Sequence, residues 1–174
     1  MWPKIKRKNL KNSTTNSDIG AELSSKDSSR PPLGYIEIRV FSHATEDQEK
    51  VQTAVRNTLP DELVSSLLFH KTSLTGHHGN PILLLEAKLV DKQALPLALK
   101  KTGNSLSVLD KVQLSEQMDL HVERSNLYLR LDKQQAFLGQ MRFGAQDAIH
   151  FKFHFKNKTS GQIASLCKEN GLLL

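Results

Sequence analysis

The chain has 174 residues, a formal net charge of +6 and a hydrophobic fraction of 38%. This length suits one domain and leaves little room for a second independent core. No apolar run approaches the roughly 18 residues of a membrane-spanning helix, and no apolar segment follows the basic residues near Met1, so we expect neither a spanning helix nor a signal peptide. The single cysteine, Cys167, excludes an internal disulfide and indicates a reducing, cytoplasmic setting.

The positive charge is concentrated at the two ends of the chain. Residues 1–33 contain seven Lys or Arg against three Asp or Glu, and residues 124–174 contain eight against three, whereas residues 34–123 contain nine against twelve. Clustered cations favour binding to a polyanion such as RNA, because neutralised phosphates release their counterions. The same charge also suits a protein that only has to stay in solution.

Residues 1–33 are rich in Ser, Thr, Asn and Lys. Such a segment has too little apolar surface to offset the conformational entropy of folding, so we predict a disordered basic arm. Its cations are candidates for weak, peripheral contacts with nucleic acid, although a plain solvated tail explains them more simply. Residues 34–174 are predicted to form one RNA-binding domain.

Hydrophobic periodicity and turn residues predict the elements of this domain. In chain order they are a strand at residues 35–41, a helix capped by Thr45 and stopped by Pro60, strands at 67–74 and 82–89, weaker helices at 92–101 and 107–118, a strand at 127–131, a short helix at 133–138, a strand at 149–155 and a helix that begins at Thr159. This order indicates an α+β class, a single domain with a mostly antiparallel sheet packed on helices.

The strand at residues 149–155 is the most informative segment. Every second residue is large and apolar, so one face must join the core. The opposite face presents a row of cations and imidazoles, His150, Lys152, His154 and Lys156.

The same alternation turns Tyr128 and Arg130 outward on one strand, and Tyr35, Arg39 and Phe41 on another. If these strands are neighbours, the open face combines cations with aromatic rings, which can neutralise phosphates and stack bases. An ordinary solvated sheet face, or a face that packs on a partner subunit, is the alternative.

The loop between the second and third strands contains His77 and His78. Two adjacent histidines without further Cys or His at ligand spacing make a poor metal site, so we expect no metal and no cofactor. They would suit an RNA-cleaving acid and base, but no nucleophile or phosphate clamp accompanies them in the sequence. P-loop, GxGxxG and GxSxG motifs are also missing, and we expect no enzyme. We interpret the loop, with Asn80, as a turn that offers donors to a phosphate.

Three stretches together carry a resemblance to a known family. They are His43-Ala44-Thr45-Glu46-Asp47 with Glu49-Lys50-Val51, Gly76-His77-His78-Gly79-Asn80-Pro81-Ile82, and Leu129-Arg130-Leu131-Asp132-Lys133-Gln134 with Ala136-Phe137 and Gly139. The set resembles the archaeal RNA-binding family described as a predicted exosome subunit with a double-stranded-RNA-binding-like fold. The resemblance covers about residues 35–156. It implies an α+β domain similar to the 5S-rRNA-binding ribosomal protein, RNA binding, and an exosome association that rests on genomic neighbourhood in that family.

The sequence therefore predicts a non-catalytic RNA-binding module, an accessory subunit of an RNA-processing exosome or a ribosome-linked complex. A protein-interaction or assembly factor that never touches RNA is the first alternative, and a histidine-dependent ribonuclease is the second. Exosome subunits and a second copy of the chain are further candidate partners, and no membrane contact is expected. The candidate RNA contacts are His77, His78, Asn80, Arg130, Lys133, His150, Lys152, His154 and Lys156.

Overall fold

A computed structural model of the chain describes residues 32–76 and 79–174. The arm predicted at residues 1–33 lies outside this part except for its last two residues, and His77 and His78 also lie outside it. Leu33 is fully buried and opens the first strand, two residues before the expected start.

The described residues form an α+β domain with a single sheet. The strands are β1 (Leu33–His43), β2 (His70–Thr75), β3 (Pro81–Leu89), β4 (Val122–Glu123), β5 (Asn126–Asp132) and β6 (Ala148–Phe155). The helices are α1 (Gln48–Thr58), α2 (Asp61–Val64), α3 (Leu95–Ser105), α4 (Val108–Glu116), α5 (Met118–His121), α6 (Lys133–Phe137) and α7 (Ser160–Glu169). The predicted fold class is confirmed.

The six strands lie in the order β2-β3-β1-β6-β5-β4, and every neighbouring pair is antiparallel. The central pair joins β1, from the start of the domain, to β6, from near its end. In the middle of the sheet, Phe153 on β6 lies opposite both Ile36 on β1 and Leu127 on β5. Large apolar side chains on three adjacent strands therefore share one face, as the period-two alternation predicts.

Helices cover this apolar face. They contribute buried side chains to the same core cluster, among them Val51, Val55, Leu95, Leu99, Leu114, Ile163 and Cys167. Burial raises the pKa of the Cys167 thiol to about 12, which keeps the sulfur protonated and unreactive at neutral pH. No helix in residues 32–76 or 79–174 combines the length and apolar character needed to cross a membrane.

The start of α1 corrects one prediction. Asp47, and not Thr45, is the N-cap, and its carboxylate accepts a hydrogen bond of 2.8 Å from the backbone N–H of Glu49. The Glu46 carboxylate does not contribute to the cap, because it accepts hydrogen bonds from the backbone N–H of His43 at 2.9 Å and from the Lys133 ammonium group at 2.7 Å. The expected cap at Thr159 is confirmed, where a capping box with Gln162 opens α7.

Pro96 does not shorten α3, which runs from Leu95 to Ser105. The proline stands in the first turn, where its missing N–H has no intrahelical acceptor to lose. The short elements α2, α5 and β4 were not predicted, since two to four residues carry too little periodicity to be recognised.

Candidate nucleic-acid interface

The face of the sheet opposite the core is lined by polar and aromatic side chains. The register of β1, β6 and β5 places Arg39, His150 and Arg130 directly across from one another on three adjacent strands. Cations that face each other in this way destabilise a sheet by electrostatic repulsion. Arg39 is partly neutralised, because its Nε lies 2.8 Å from a carboxylate oxygen of Glu86. Arg130 is exposed and has no carboxylate partner in the part of the chain that the structure describes.

The imidazole of His150 lies between these two guanidinium groups. Burial lowers the pKa of His150, and the positive charges of Arg130 and Arg39 lower it further. His150 is therefore held in its neutral form over more of the pH range than an ordinary histidine. An anion bound in this row would favour the protonated imidazole and reduce the repulsion between the cations.

The next row along the strands is largely neutralised. The Nζ of Lys152 lies 3.0 Å from one carboxylate oxygen of Glu37, and the Nζ of Lys88 lies 3.5 Å from the other. Burial acts to raise the pKa of Glu37, but the hydrogen bond and charge of Lys152, with the charge of Lys88, outweigh it and the net pKa is lowered. Tyr128 completes this row, opposite Lys152 on β5.

A third row forms a closed aromatic cluster. The rings of Tyr35 and His154 stack with centroids 4.5 Å apart, and the Nδ1 of His154 lies 2.9 Å from the Oδ1 of Asn126. The ammonium groups of Lys88 and Lys152 lie 4.2 and 5.4 Å from the centre of the Tyr35 ring. Burial lowers the pKa of His154, with a further contribution from Lys152. The hydrogen bond, the ring stacking and the cation–ring contacts of these side chains are therefore made mainly to one another.

A groove of about 870 Å³ runs along the first two rows, with α4, α5 and residues 143–145 at its side. The Nδ1 of His121 on α5 lies 2.8 Å from the carbonyl oxygen of Tyr128. Because a carbonyl only accepts, Nδ1 carries the hydrogen. The ring of His121 also stacks on Phe143 at 5.9 Å. These contacts fix the side of the groove against β5.

Residues 142–144 are held between β5 and α4. The backbone N–H of Gly144 donates to the carbonyl of Arg130 at 3.1 Å, and that of Phe143 donates to Asp110 at 3.2 Å. A Cβ on Gly144 would lie only 2.8 Å from the Cα of Asp132, so this close approach requires glycine.

Lys133 does not belong to this surface, and we remove it from the candidate contacts. Its side chain is only 4% exposed, and its Nζ lies 2.7 Å from Glu46, 2.5 Å from Asp147 and 3.0 Å from the carbonyl oxygen of Phe41. Three acceptors match the three N–H donors of an ammonium group. The carboxylates of Glu46 and Asp147, with His43, lie within 4.8 Å of one another as metal ligands would, but the Lys133 ammonium already supplies the positive charge there.

The remaining candidates lie at different places. The structure brings Arg130, His150, Lys152 and His154 together on the open face. Asn80 lies in the β2–β3 loop, where its carbonyl accepts from Gly76 at 2.8 Å, beyond the end of β1 and away from the groove. Arg39 and His121 line the groove and are further candidates beyond the contacts predicted from the sequence. The alternation already turned Arg39 outward, whereas His121 lies in a helix too short to predict. Lys156 directly follows β6.

Comparisons with known proteins give matches over most of the described domain. The model of a family described as RNA binding matches residues 35–155. The chain is 35% identical over 124 residues to RNA-binding protein PAB1135 of Pyrococcus abyssi, a match that covers 70% of this chain and 80% of that protein.

Solved structures show the same fold. Mth689, a DUF54 protein from Methanothermobacter thermautotrophicus, superposes with a TM-score of 0.65 at 29% identity, over 82% of this chain and 98% of that one. SSO0741 from Sulfolobus solfataricus, assigned to the same family, superposes with a TM-score of 0.64 at 25% identity, over 78% and 96% of the two chains. The family match spans nearly all of the sheet and the whole groove, and the chain belongs to this family of RNA-binding proteins.

Proposed function

We propose that the protein binds RNA through the open face of its sheet, with phosphates held along the row of Arg39, His150 and Arg130. The observation that carries this proposal is the charge of Arg130, which has no carboxylate partner among the described residues. It stands beside the imidazole of His150, whose pKa is lowered by burial and by its cationic neighbours. The like charges of this row repel one another. A phosphate would turn this repulsion into attraction, because each guanidinium can donate two hydrogen bonds to phosphate oxygens.

Binding and not cleavage is the activity that we propose. Cleavage of RNA by histidines needs one imidazole to act as a general acid, and therefore to be protonated near neutral pH. The lowered pKa of His150 works against this role. Labelled RNA incubated with the protein should remain intact on a denaturing gel. Cleavage that disappears in the double change of His77 and His78 to Ala, or in His150→Gln, would establish a ribonuclease instead.

The central experiment is a filter-binding titration of the full chain with RNA across a salt series. Arg130→Gln removes one exposed charge and leaves the apolar face of β5 unchanged. The slope of log affinity against log salt should fall by about 0.7 to 0.9 for each lost phosphate contact. Lys100→Gln is the matched control, because Lys100 is an exposed cation on α3 and does not line the groove. Equal slopes for wild type and Arg130→Gln would contradict the proposal, and an absence of RNA binding at low salt would favour the protein-interaction alternative.

The β2–β3 loop is a separate candidate for RNA contact. His77, His78 and Asn80 were chosen because a glycine-containing turn can offer backbone and imidazole donors to a phosphate. We expect the double change of His77 and His78 to Ala to weaken RNA binding while the urea midpoint stays unchanged. We also expect Lys156, which directly follows β6, to contact a phosphate, so that Lys156→Gln weakens RNA binding.

We also propose that the module acts within a larger assembly in the cytoplasm. The resemblance described above supports an accessory role in an RNA-processing exosome or a ribosome-linked complex, and self-association as a homodimer is a further candidate. The exposed apolar side chains of Phe137 and Leu138 are available for such contacts. Affinity purification of the tagged chain after ribonuclease treatment tests the assembly, and sedimentation equilibrium tests the dimer.

A further inference from the structure

The inference concerns Tyr128, and it rests on the proposed RNA-binding function. Tyr128 lies in the groove, is 38% exposed, and its ring has no aromatic or cationic contact among the described residues. Tyr35, on the same face, differs in each respect, because it stacks on His154 and lies beneath the ammonium groups of Lys88 and Lys152. Of the two tyrosines on the open face, Tyr35 therefore makes ring and cation contacts, whereas the partly exposed ring of Tyr128 makes none among the described residues.

The side chain opposite Tyr128 does not cover its ring. Lys152 is the cross-strand partner of Tyr128, but its Nζ is bound to Glu37 and directed over Tyr35 on the far side of β6. The backbone of Tyr128 is held at the same time, since its carbonyl accepts from His121 and both its neighbours on β5 are buried. The side chain of Tyr128 thus projects from a held strand and is partly exposed in the groove.

The groove has the size of a small-ligand site. Its volume of about 870 Å³ lies in the range of roughly 300–1,000 Å³ that accommodates drug-sized molecules. A double helix of RNA is recognised instead across a long surface of about 16 base pairs, mostly through its shape, phosphates and 2′-hydroxyl groups. Its bases are stacked on each other inside the helix, and none of them offers a face to a protein ring.

From these observations we infer that the groove takes unpaired RNA, with one base stacked on Tyr128 and the adjoining phosphate bound by Arg130. Arg130 lies two residues along β5 from Tyr128, so the two side chains share the same face of one strand. A ring beside a guanidinium matches the alternation of base and phosphate along a single strand. Any base can stack on a tyrosine ring. This contact therefore distinguishes unpaired RNA from paired RNA, and it does not distinguish one base sequence from another.

The test compares two RNAs with the full chain at the same salt concentration. The first is a labelled oligouridine of about 12 nucleotides, which stays unpaired, and the second is a duplex of about 16 base pairs. We expect the oligouridine to bind more tightly than the duplex. Tyr128→Ala should weaken oligouridine binding by roughly 5- to 100-fold, as expected for the loss of one stacked base, and should leave duplex binding nearly unchanged.

Two further variants keep the test decisive. Tyr128→Phe retains the ring and should bind oligouridine within about twofold of wild type, whereas Tyr128→Leu keeps apolar bulk without a π-face and should lose as much affinity as Tyr128→Ala. Equal binding of both RNAs, or unchanged oligouridine binding in folded Tyr128→Ala and Tyr128→Leu, would overturn the inference. The proposed function would survive that result if Arg130→Gln still lowered the salt slope. An unchanged salt slope in Arg130→Gln would contradict both the inference and the proposed function.

Discussion

The ammonium group of Lys133 lies 2.7 Å from a carboxylate oxygen of Glu46, although the two residues are 87 positions apart in the chain. Lys133 opens α6, and Glu46 stands in the turn before α1, so the ion pair joins the starts of two helices. The backbone carbonyl of Phe41 at the end of β1 accepts from the same ammonium group at 3.0 Å. The contact therefore ties both helix starts to the central sheet.

Replacing Lys133 by Met should destabilise the fold. The change leaves the carboxylates of Glu46 and Asp147 without their counter-charge and the carbonyl of Phe41 without its donor. Both carboxylates retain partial access to water, with side chains 28% and 38% exposed, so we expect a loss of about 1–3 kcal/mol in the free energy of unfolding, below the cost at a fully buried pair. Urea denaturation at pH 7 measures it.

Lys100→Met provides the control for this prediction. Lys100 is exposed on α3, and its replacement should change the free energy of unfolding by no more than about 0.5 kcal/mol. RNA affinity should be unchanged in both variants, because neither lysine lines the groove. Wild-type stability in Lys133→Met would mean that the ion pair contributes nothing to the fold.

RNA affinity should rise as the pH falls from about 7.5 to 5.5. In the free protein the pKa of His150 lies below its usual value of 6.5, owing to burial and then to the charges of Arg130 and Arg39. A bound phosphate raises this pKa, so the complex takes up a proton over the interval between the two values. Filter binding at constant ionic strength across this range measures the effect.

His150→Gln isolates the contribution of this one group. The other titratable or charged side chains of the groove stay in place, so only the proton uptake of His150 is lost; they are Glu37, Arg39, His121, Glu123, Tyr128, Arg130 and Lys152. The affinity of the variant should depend less on pH than that of the wild type. If both proteins give the same pH profile, the phosphate is not bound beside His150.

Gly79→Val should lower stability through the backbone alone. Gly79 has a φ of +76°, and a Cβ there would meet no atom within 4 Å. The β-branched side chain of valine must therefore be strained in the left-handed region, at a cost of roughly 1–2 kcal/mol. Gly79→Asn should cost less, because asparagine tolerates this region. Thermal midpoints of the two variants give the comparison, and equal midpoints would refute the explanation.

Phe153→Ala should cost about 3–5 kcal/mol in the free energy of unfolding, because it opens a cavity at the centre of the core. Phe153 is 1% exposed and lies between Ile36 and Leu127. Tyr128→Ala, on the opposite face of the neighbouring strand, should cost only about 1 kcal/mol or less. Urea denaturation distinguishes the two faces, and similar losses would show that the open face is also packed.

The two faces of the central strands could be predicted from the sequence. The alternation at residues 149–155 depends only on the geometry of an extended chain, in which successive side chains point to opposite sides. It correctly placed Phe151 and Phe153 in the core and His150 and Lys152 on the open face. The α+β class and the cap at Thr159 follow from similarly local patterns, which is why they could be read along the chain.

The tertiary structure alone decided which of these local elements meet. Nothing near Lys133 in the sequence indicates that Glu46 and Asp147 bury it, and the same residue type at Lys156 ends up partly exposed beyond β6. Likewise, Arg130 stands opposite His150 only because β5 pairs with β6 in this register. The reason is physical: side-chain direction is set by neighbouring backbone bonds, whereas burial and charge pairing depend on contacts between segments that the whole fold brings together.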